Sequence, residues 1–359
     1  MEYFNPTNSS ENRLIRVTLN ITRNGHASAV LPNGWVVTAG GSQYLSGYLR
    51  QTEIFDPASE RIVFGPHMTV QREQGPGGAV VGGSFYICGG RGGRGRHRSC
   101  ERLRLGDLHN FVSNTCCSVF LIWYYSKVLF AACEDAVDPG LGCQEPTDRY
   151  YYHPEQRKCK RFQYTGCGSA SNNFETLKQC QDTCHERQLG AKVAGSFESI
   201  APMGNARSEF KMVALNGFLY AIGADDQTCG CLVERYSPAN NTWTRVSSLL
   251  KGRTQFGAAV LNDMIYVCGG KAFQWQSLPL PDCEKYDPAT NKWSKIANMK
   301  ARRRENSLVA LNGYLYAFGD NWDTTERDAI ERYDPVRDKW EKLSAKLIID
   351  RDYSTGVAV

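Results

Sequence analysis

Six cysteines crowd into one short stretch of this 359-residue chain: Cys133, Cys143, Cys159, Cys167, Cys180 and Cys184. The steps between them are 10, 16, 8, 13 and 4 residues. Thiols at this density either bridge one another in an oxidising compartment or hold a metal ion. Structural zinc sites pair their thiolates as Cys-x-x-Cys, and the cluster lacks that spacing. Full pairing of six cysteines allows 15 connectivities. The remaining eight of the fourteen cysteines are scattered or sit in strand-like runs. Among them, Cys88 and Cys268 each precede a glycine pair and read as buried structural thiols. Scattered thiols are ordinary in the cytosol, so the cysteines point to two compartments at once.

Other chemistry is sparse. No Ser-His-Asp set, phosphate loop or metal cluster stands out, and His26, His67, His97, His109, His153 and His185 follow no metal-ligand spacing. The sequence therefore predicts a non-enzymatic protein with no cofactor and no metal. A net charge of +5 does not argue for nucleic acid or a membrane surface. The "GGRGGRGRHRS" stretch, Gly89 to Ser99, reads as a brief solvated basic loop rather than an RNA-binding segment. Asn8, Asn20 and Asn240 head glycosylation sequons, which matter only in a secreted chain.

The clustered cysteines need elements to hold them. "RYYYHPEQRKCKRFQY" reads as two aromatic strands around a His-Pro-Glu-Gln turn. "TLKQCQDTC" reads as a helix with Thr176 as N-cap and Gln179 three residues on. Cys180 and Cys184 then share one helix face. About fifty residues cannot bury enough apolar surface alone, so covalent staples are expected.

This stretch resembles the Kunitz, or pancreatic trypsin inhibitor, family over nearly all of 133–184. The resemblance implies the pairs Cys133–Cys184, Cys143–Cys167 and Cys159–Cys180. It also implies a serine protease as partner. The contact loop would comprise Gly142, Cys143, Gln144, Glu145 and Pro146, backed by Thr165 and Gly166. Gln144 falls at the position that enters the protease specificity pocket. It carries neither a charge for an acidic pocket nor a ring for an apolar one. Glu145 stands where inhibitory members usually have a small residue, and an unpaired carboxylate is costly to bury. Thr165 stands where the family normally has glycine, and the first inter-cysteine segment is one residue longer than usual. The resemblance thus implies inhibition that is weak or altered in specificity.

Far to either side a different pattern recurs. "WVVTAGG", "FYICGG", "LYAIGA", "IYVCGG" and "LYAFGD" end with second pair positions 49, 134, 46 and 50 residues apart. "EIFDP", "ERYSP", "EKYDP" and "ERYDP" follow at Glu53, Glu234, Glu284 and Glu331, with Phe64, Trp243, Trp293 and Trp340 beyond. Asn-Gly and Asn-Asp upstream suit hairpin turns with positive φ, and Asp-Pro starts a turn. Each unit reads as four short strands, and units of this length arranged radially make a propeller. An unrelated β-sandwich would not repeat two signatures in register. The residues resemble the Kelch family over about 25–105 and 195–359, which implies an interaction scaffold with a protein ligand on its face. Some Kelch-type propellers are copper oxidases, but nothing here matches a ligand set. Many Kelch proteins are ubiquitin-ligase adaptors with an N-terminal dimerisation domain. Only about 24 residues precede the first unit here.

The 134-residue step locates an insertion of about 85 residues within the second unit, whose matching aromatic is Phe197. The expected fold class is therefore mainly β: a Kelch-like propeller of five recognisable blades plus a partial one, with a small disulfide-rich α+β Kunitz domain in blade two. The layout is an N-terminal segment at 1–24, repeats one and two at 25–105, an apolar linker at 106–132, the Kunitz domain at 133–184 and the remaining propeller at 185–359. "YSTGVAV" at the C-terminus reads as the opening strand of another blade, closing the ring on the N-terminal blade or marking an incomplete propeller. In the linker, "SVFLIWYYSKVLF" is too short for a membrane span. It resembles the apolar core of a signal peptide, or alternatively two further strands. The N-terminus carries no signal pattern. Compartment stays open between secreted and cytoplasmic.

Overall fold

The computed structural model describes residues 2–3, 13–14, 19–43, 47–57, 59–93, 95–105, 142–143, 145–153, 158–166, 172–180, 195–225, 230–272, 278–319 and 328–346. The chain divides into two compact units, residues 1–105 with 194–359, and residues 106–193.

The first unit is a five-blade β-propeller, each blade a four-stranded antiparallel sheet. Blade 1 comprises Ala27–Val30, Val36–Ala39, Thr52–Asp56 and Arg61–Phe64. Blade 2 comprises Gly77–Val81, Ser84–Cys88, Cys100–Leu105 and Gly195–Ile200. Blades 3, 4 and 5 open with Lys211–Leu215, Gly257–Leu261 and Ser307–Leu311 and close with Thr242–Val246, Lys292–Ile296 and Lys339–Lys346. The innermost strands of successive blades pack on one another from blade 1 to blade 5.

Local chemistry explains the strands. Asn216, Asn262 and Asn312 take positive φ in the turns between first and second strands, the conformation a two-residue hairpin needs. Gly269 and Gly270 take φ of 76° and 85° at the end of a second strand. A Cβ there would come within 2.7 Å of the Arg303 carbonyl and 2.4 Å of the Thr254 carbonyl, so the pair is demanded by close approach of the neighbouring backbone. The tryptophans join blades. The indole Nε1 of Trp243, Trp293 and Trp340 donates to the carbonyls of Ala201, Ser247 and Ala297, each the first residue after the preceding blade's last strand. Each ring also stacks at about 5 Å on the third-strand tyrosine: Tyr236, Tyr286 and Tyr333.

Two expectations need correction. In blade 1 the residue in register with those tryptophans is Ile62, which faces Phe55, whereas Phe64 faces Glu53. Tyr236 and Trp243 are seven residues apart, as are Phe55 and Ile62, so the ladder selects Ile62. In blade 2 the ladder does select Phe197, opposite Leu103. Cys88 and Cys268 are not thiols but disulfides with Cys100 and Cys283. Each pair lies directly opposite across the second and third strands, with Cα atoms 4.1 and 4.2 Å apart. That approach lets two side chains of one face bond.

The Arg-Gly stretch is a small hairpin of Arg91–Gly92 and Gly95–Arg96. Arg91 donates to Gln74 and Arg96 pairs with Asp225.

Candidate functional site

The second unit is built on the aromatic hairpin Thr147–His153 and Lys158–Tyr164, paired Thr147 to Tyr164 through His153 to Lys158. Phe174 closes onto it through two backbone bonds of 2.8 Å with Tyr150. The buried Asn172 amide accepts from Tyr152 N at 2.7 Å and donates to Tyr152 O at 2.9 Å. A side chain thus supplies a rung the sheet lacks. Tyr152, Phe174 and Cys180 form the core, and Cys159–Cys180 ties the second strand to the helix. Thr176 Oγ1 accepts from Gln179 N at 3.0 Å, as an N-cap should. Gln179 Oε1 reaches past Thr176 to the amide of Glu175, at 3.1 Å.

This frame presents the candidate contact loop. Gly142, Cys143, Glu145, Pro146 and Thr147 are all exposed, and Cys143 is disulfide-bonded. Gly142 takes a φ of 76° and donates its amide to Thr165 Oγ1 at 3.0 Å. Thr165 thereby joins the two segments that the sequence assigned to one surface. Gly166 beside it is buried at φ 81°. Gln144, Cys133, Cys167 and Cys184 lie outside the described residues, as does the 106–132 linker.

The propeller offers a second candidate surface. A cavity of about 270 Å³ on its axis is lined by Glu73, Glu209, Glu305, Lys211, His26 and Gln255, among others. Burial pushes the Glu209 carboxyl up, reinforced by Asp225. Burial likewise lowers the Lys211 ammonium. It lowers His26 to about 4, reinforced by Arg23 and Lys211.

Around that cavity runs a feature the sequence reading missed. Arg23, Arg72, Arg207, Arg253 and Arg303 precede the five first strands, with side chains fully buried. Each pairs with the glutamate of its own blade's third strand: Glu53, Glu101, Glu234, Glu284 and Glu331, at 2.6–3.1 Å. Their guanidinium groups also donate to backbone carbonyls, as Arg253 does to Gly269 and Asp282. A carboxylate and backbone carbonyls together are what a buried guanidinium requires. No group of acidic, histidine or cysteine residues suited to a metal occurs among the described residues, and no described helix is long and apolar enough to cross a membrane.

Comparison with known proteins agrees with this geometry. Residues 132–185 match the Kunitz/bovine pancreatic trypsin inhibitor domain, and residues 252–300 and 302–346 match the Kelch motif. A Kunitz-type serine protease inhibitor of Eristicophis macmahoni is 51% identical over 47 residues, 13% of this chain and 74% of that protein. A Kunitz-like toxin, PcKuz3, of Palythoa caribaeorum is 44% identical over 52 residues, 14% of this chain and all of that protein. Tissue factor pathway inhibitor 2 of Bos taurus is 46% identical over 90 residues, 24% of this chain and 37% of that protein. Through this module the chain belongs to the Kunitz/bovine pancreatic trypsin inhibitor family. Its other unit is a Kelch-type propeller.

Proposed function

We propose that this is a non-enzymatic binding protein whose Kunitz module engages a serine protease, carried on a Kelch interaction scaffold. The observation that carries the reading is the Gly142–Thr165 bond beneath an exposed, disulfide-anchored loop. A loop held rigid before contact loses little entropy on binding. Gln144 would enter the specificity pocket, flanked by Gly142, Cys143, Glu145 and Pro146, with Cys133–Cys184 and Cys143–Cys167 completing the staples. The residues at 1–24, 106–132 and 185–359 would serve as a leading segment, a linker and the remaining propeller. The disulfides Cys88–Cys100 and Cys268–Cys283 support folding in an oxidising compartment. Titration of trypsin, chymotrypsin and elastase with the chain tests the reading. Lowered activity of one enzyme is expected. No inhibition at micromolar protein, with bridges verified by peptide mapping, would overturn it.

A second reading draws on Glu145, whose exposed carboxylate would have to be desolvated against a protease. On that reading the insert is non-inhibitory and the propeller face recruits the protein partner, as a scaffold or a ubiquitin-ligase substrate adaptor. Pull-down of one partner by the chain and by a Glu145→Ala variant alike, without inhibition by either, would favour it.

A further inference from the structure

In blades 1, 3, 4 and 5 a short turn joins the third strand to the fourth, at 57–60, 238–241, 288–291 and 335–338. Blades 1, 4 and 5 build it the same way. The aspartate that ends the third strand holds the residue three places on. Asp56 accepts from the Ser59 hydroxyl, Asp287 accepts from the Thr290 hydroxyl, and Asp334 pairs with Arg337. The same aspartate faces a cation on the first rung beyond the turn: Arg61, Lys292 or Lys339. The last turn residue, Glu60, Asn291 or Asp338, takes positive φ. In blades 4 and 5 it also accepts from the third-strand tyrosine hydroxyl and from an amide just after the preceding blade's last strand.

Blade 3 keeps this backbone and changes three side chains. Asn241 takes a φ of 51°, and its Oδ1 accepts from Tyr236 OH and Ala201 N, both at 2.8 Å. But Ser237 stands in place of the aspartate, Asn240 in place of the residue it holds, and Thr242 in place of the cation. Asn240 and Thr242 are exposed, and among the described residues neither side chain has a hydrogen-bond partner. The two asparagines of "NNT" are thus separated by structure: Asn241 fastens the turn, and the Asn240 amide is left to solvent. Together the three changes place Asn-x-Thr on an exposed turn, the acceptor pattern for an N-linked oligosaccharide.

We propose that Asn240 is N-glycosylated. Its amide nitrogen displaces polyprenyl pyrophosphate from C1 of a lipid-linked oligosaccharide. The C1–N bond forms, the C1–O bond breaks, the pyrophosphate leaves with the lipid, and the amide proton passes to a base on the transferase. The disulfides Cys88–Cys100 and Cys268–Cys283 belong to the same oxidising lumen in which that transfer occurs. The sugar has room. Strand Val233–Ser237 runs from Leu232, whose carbonyl receives Arg207, to the turn. Asn240 and the buried arginine therefore stand at opposite ends of the strand, and the loops around the axial cavity stay uncovered. Of the other sequons, Asn8 lies outside the described residues. Asn20 sits at the arginine end of blade 1, its backbone amide donating to the buried Glu53 at 2.6 Å.

Mass spectrometry of the full chain, made in cells with a secretory pathway, tests the assignment. Trypsin cuts after Arg235 and Arg245 and so isolates the turn. After release of sugar by peptide-N-glycosidase in heavy-oxygen water, Asn240 should appear as aspartate carrying the heavy oxygen, with Asn241 unchanged. Asn240→Gln and Thr242→Ala should each abolish the sugar on this turn. An unmodified turn in the unaltered chain would overturn the proposal whether the propeller disulfides are found formed or free. Formed bridges would show an acceptor passed over in the lumen, and free thiols a chain that never meets the transferase. Sugar on Asn20 alone would count against it in the same way.

Discussion

The propeller and the Kunitz module face the same thermodynamic demand and meet it with different materials. A propeller blade buries one face on the next blade, so Tyr266 of blade 4 and Trp340 of blade 5 belong to one cluster that neither blade could form alone. Polar groups are affordable in such an interior because each buried arginine finds its glutamate and two carbonyls. The Kunitz module has no neighbour of that kind built into its sequence. Its described core is three buried side chains, one of them a half-cystine. Repetition lets surfaces cover one another, whereas a lone small module must be stapled.

Breaking one buried pair gives the largest expected effect. Arg253→Met strands Glu284 and should cost about 3–5 kcal/mol in urea unfolding followed by tryptophan fluorescence. Adding Glu284→Leu should return much of that loss, and the Kunitz transition should not move. Cys159→Ala with Cys180→Ala should remove about 2–5 kcal/mol from the module while the propeller midpoint holds. A single transition shifted in both variants would erase the contrast between the units. Titration sharpens it further. His26 stays neutral in the fold down to about 4, while the unfolded chain takes up its proton near the ordinary value of 6.5. Propeller stability should therefore fall as pH drops from about 6.5 to 4, less steeply in His26→Asn, as thermal melts across that window would show. Thr165→Gly removes the acceptor for Gly142 N and should cost about 0.5–1.5 kcal/mol, read as faster exchange of that amide. The exposed Arg161–Asp148 pair marks the lower end. Asp148→Asn should change module stability by less than about 1 kcal/mol.

Particular residues show what sequence could and could not convey. Asn216-Gly217 and Tyr286-Asp287-Pro288 are legible because each acts through its own backbone or a neighbour a few residues away, and Trp293 because its spacing recurs with the repeat, although its indole reaches Ser247 in the preceding blade. Arg253 was not recognised although Arg207, Arg253 and Arg303 recur at 46 and 50 residues, the same steps as the glycine pairs. An arginine before a strand looks like surface charge, and its partner lies about thirty residues on across loops of unequal length. Cys88 and Cys100 escaped for a related reason. Pairing across strands depends on register, which a list of cysteines does not contain. In the candidate loop, the departure at Thr165 was visible in the sequence. Its bond to Gly142 N depends on where the hairpin delivers its hydroxyl.

One pairing has a consequence in the statistics of chain closure. Leu105 and Gly195 face each other on the last rung between the third and fourth strands of blade 2. Everything from 106 to 194 is, to that sheet, the inside of a single hairpin loop. The entropy of closing a loop grows only with the logarithm of its length, about 0.6 kcal/mol for each doubling. Lengthening a four-residue turn to these 89 residues is between four and five doublings, or roughly 3 kcal/mol for a featureless chain. A folded passenger whose ends already lie side by side would pay less. To that sheet, a whole extra module costs little more than a long loop.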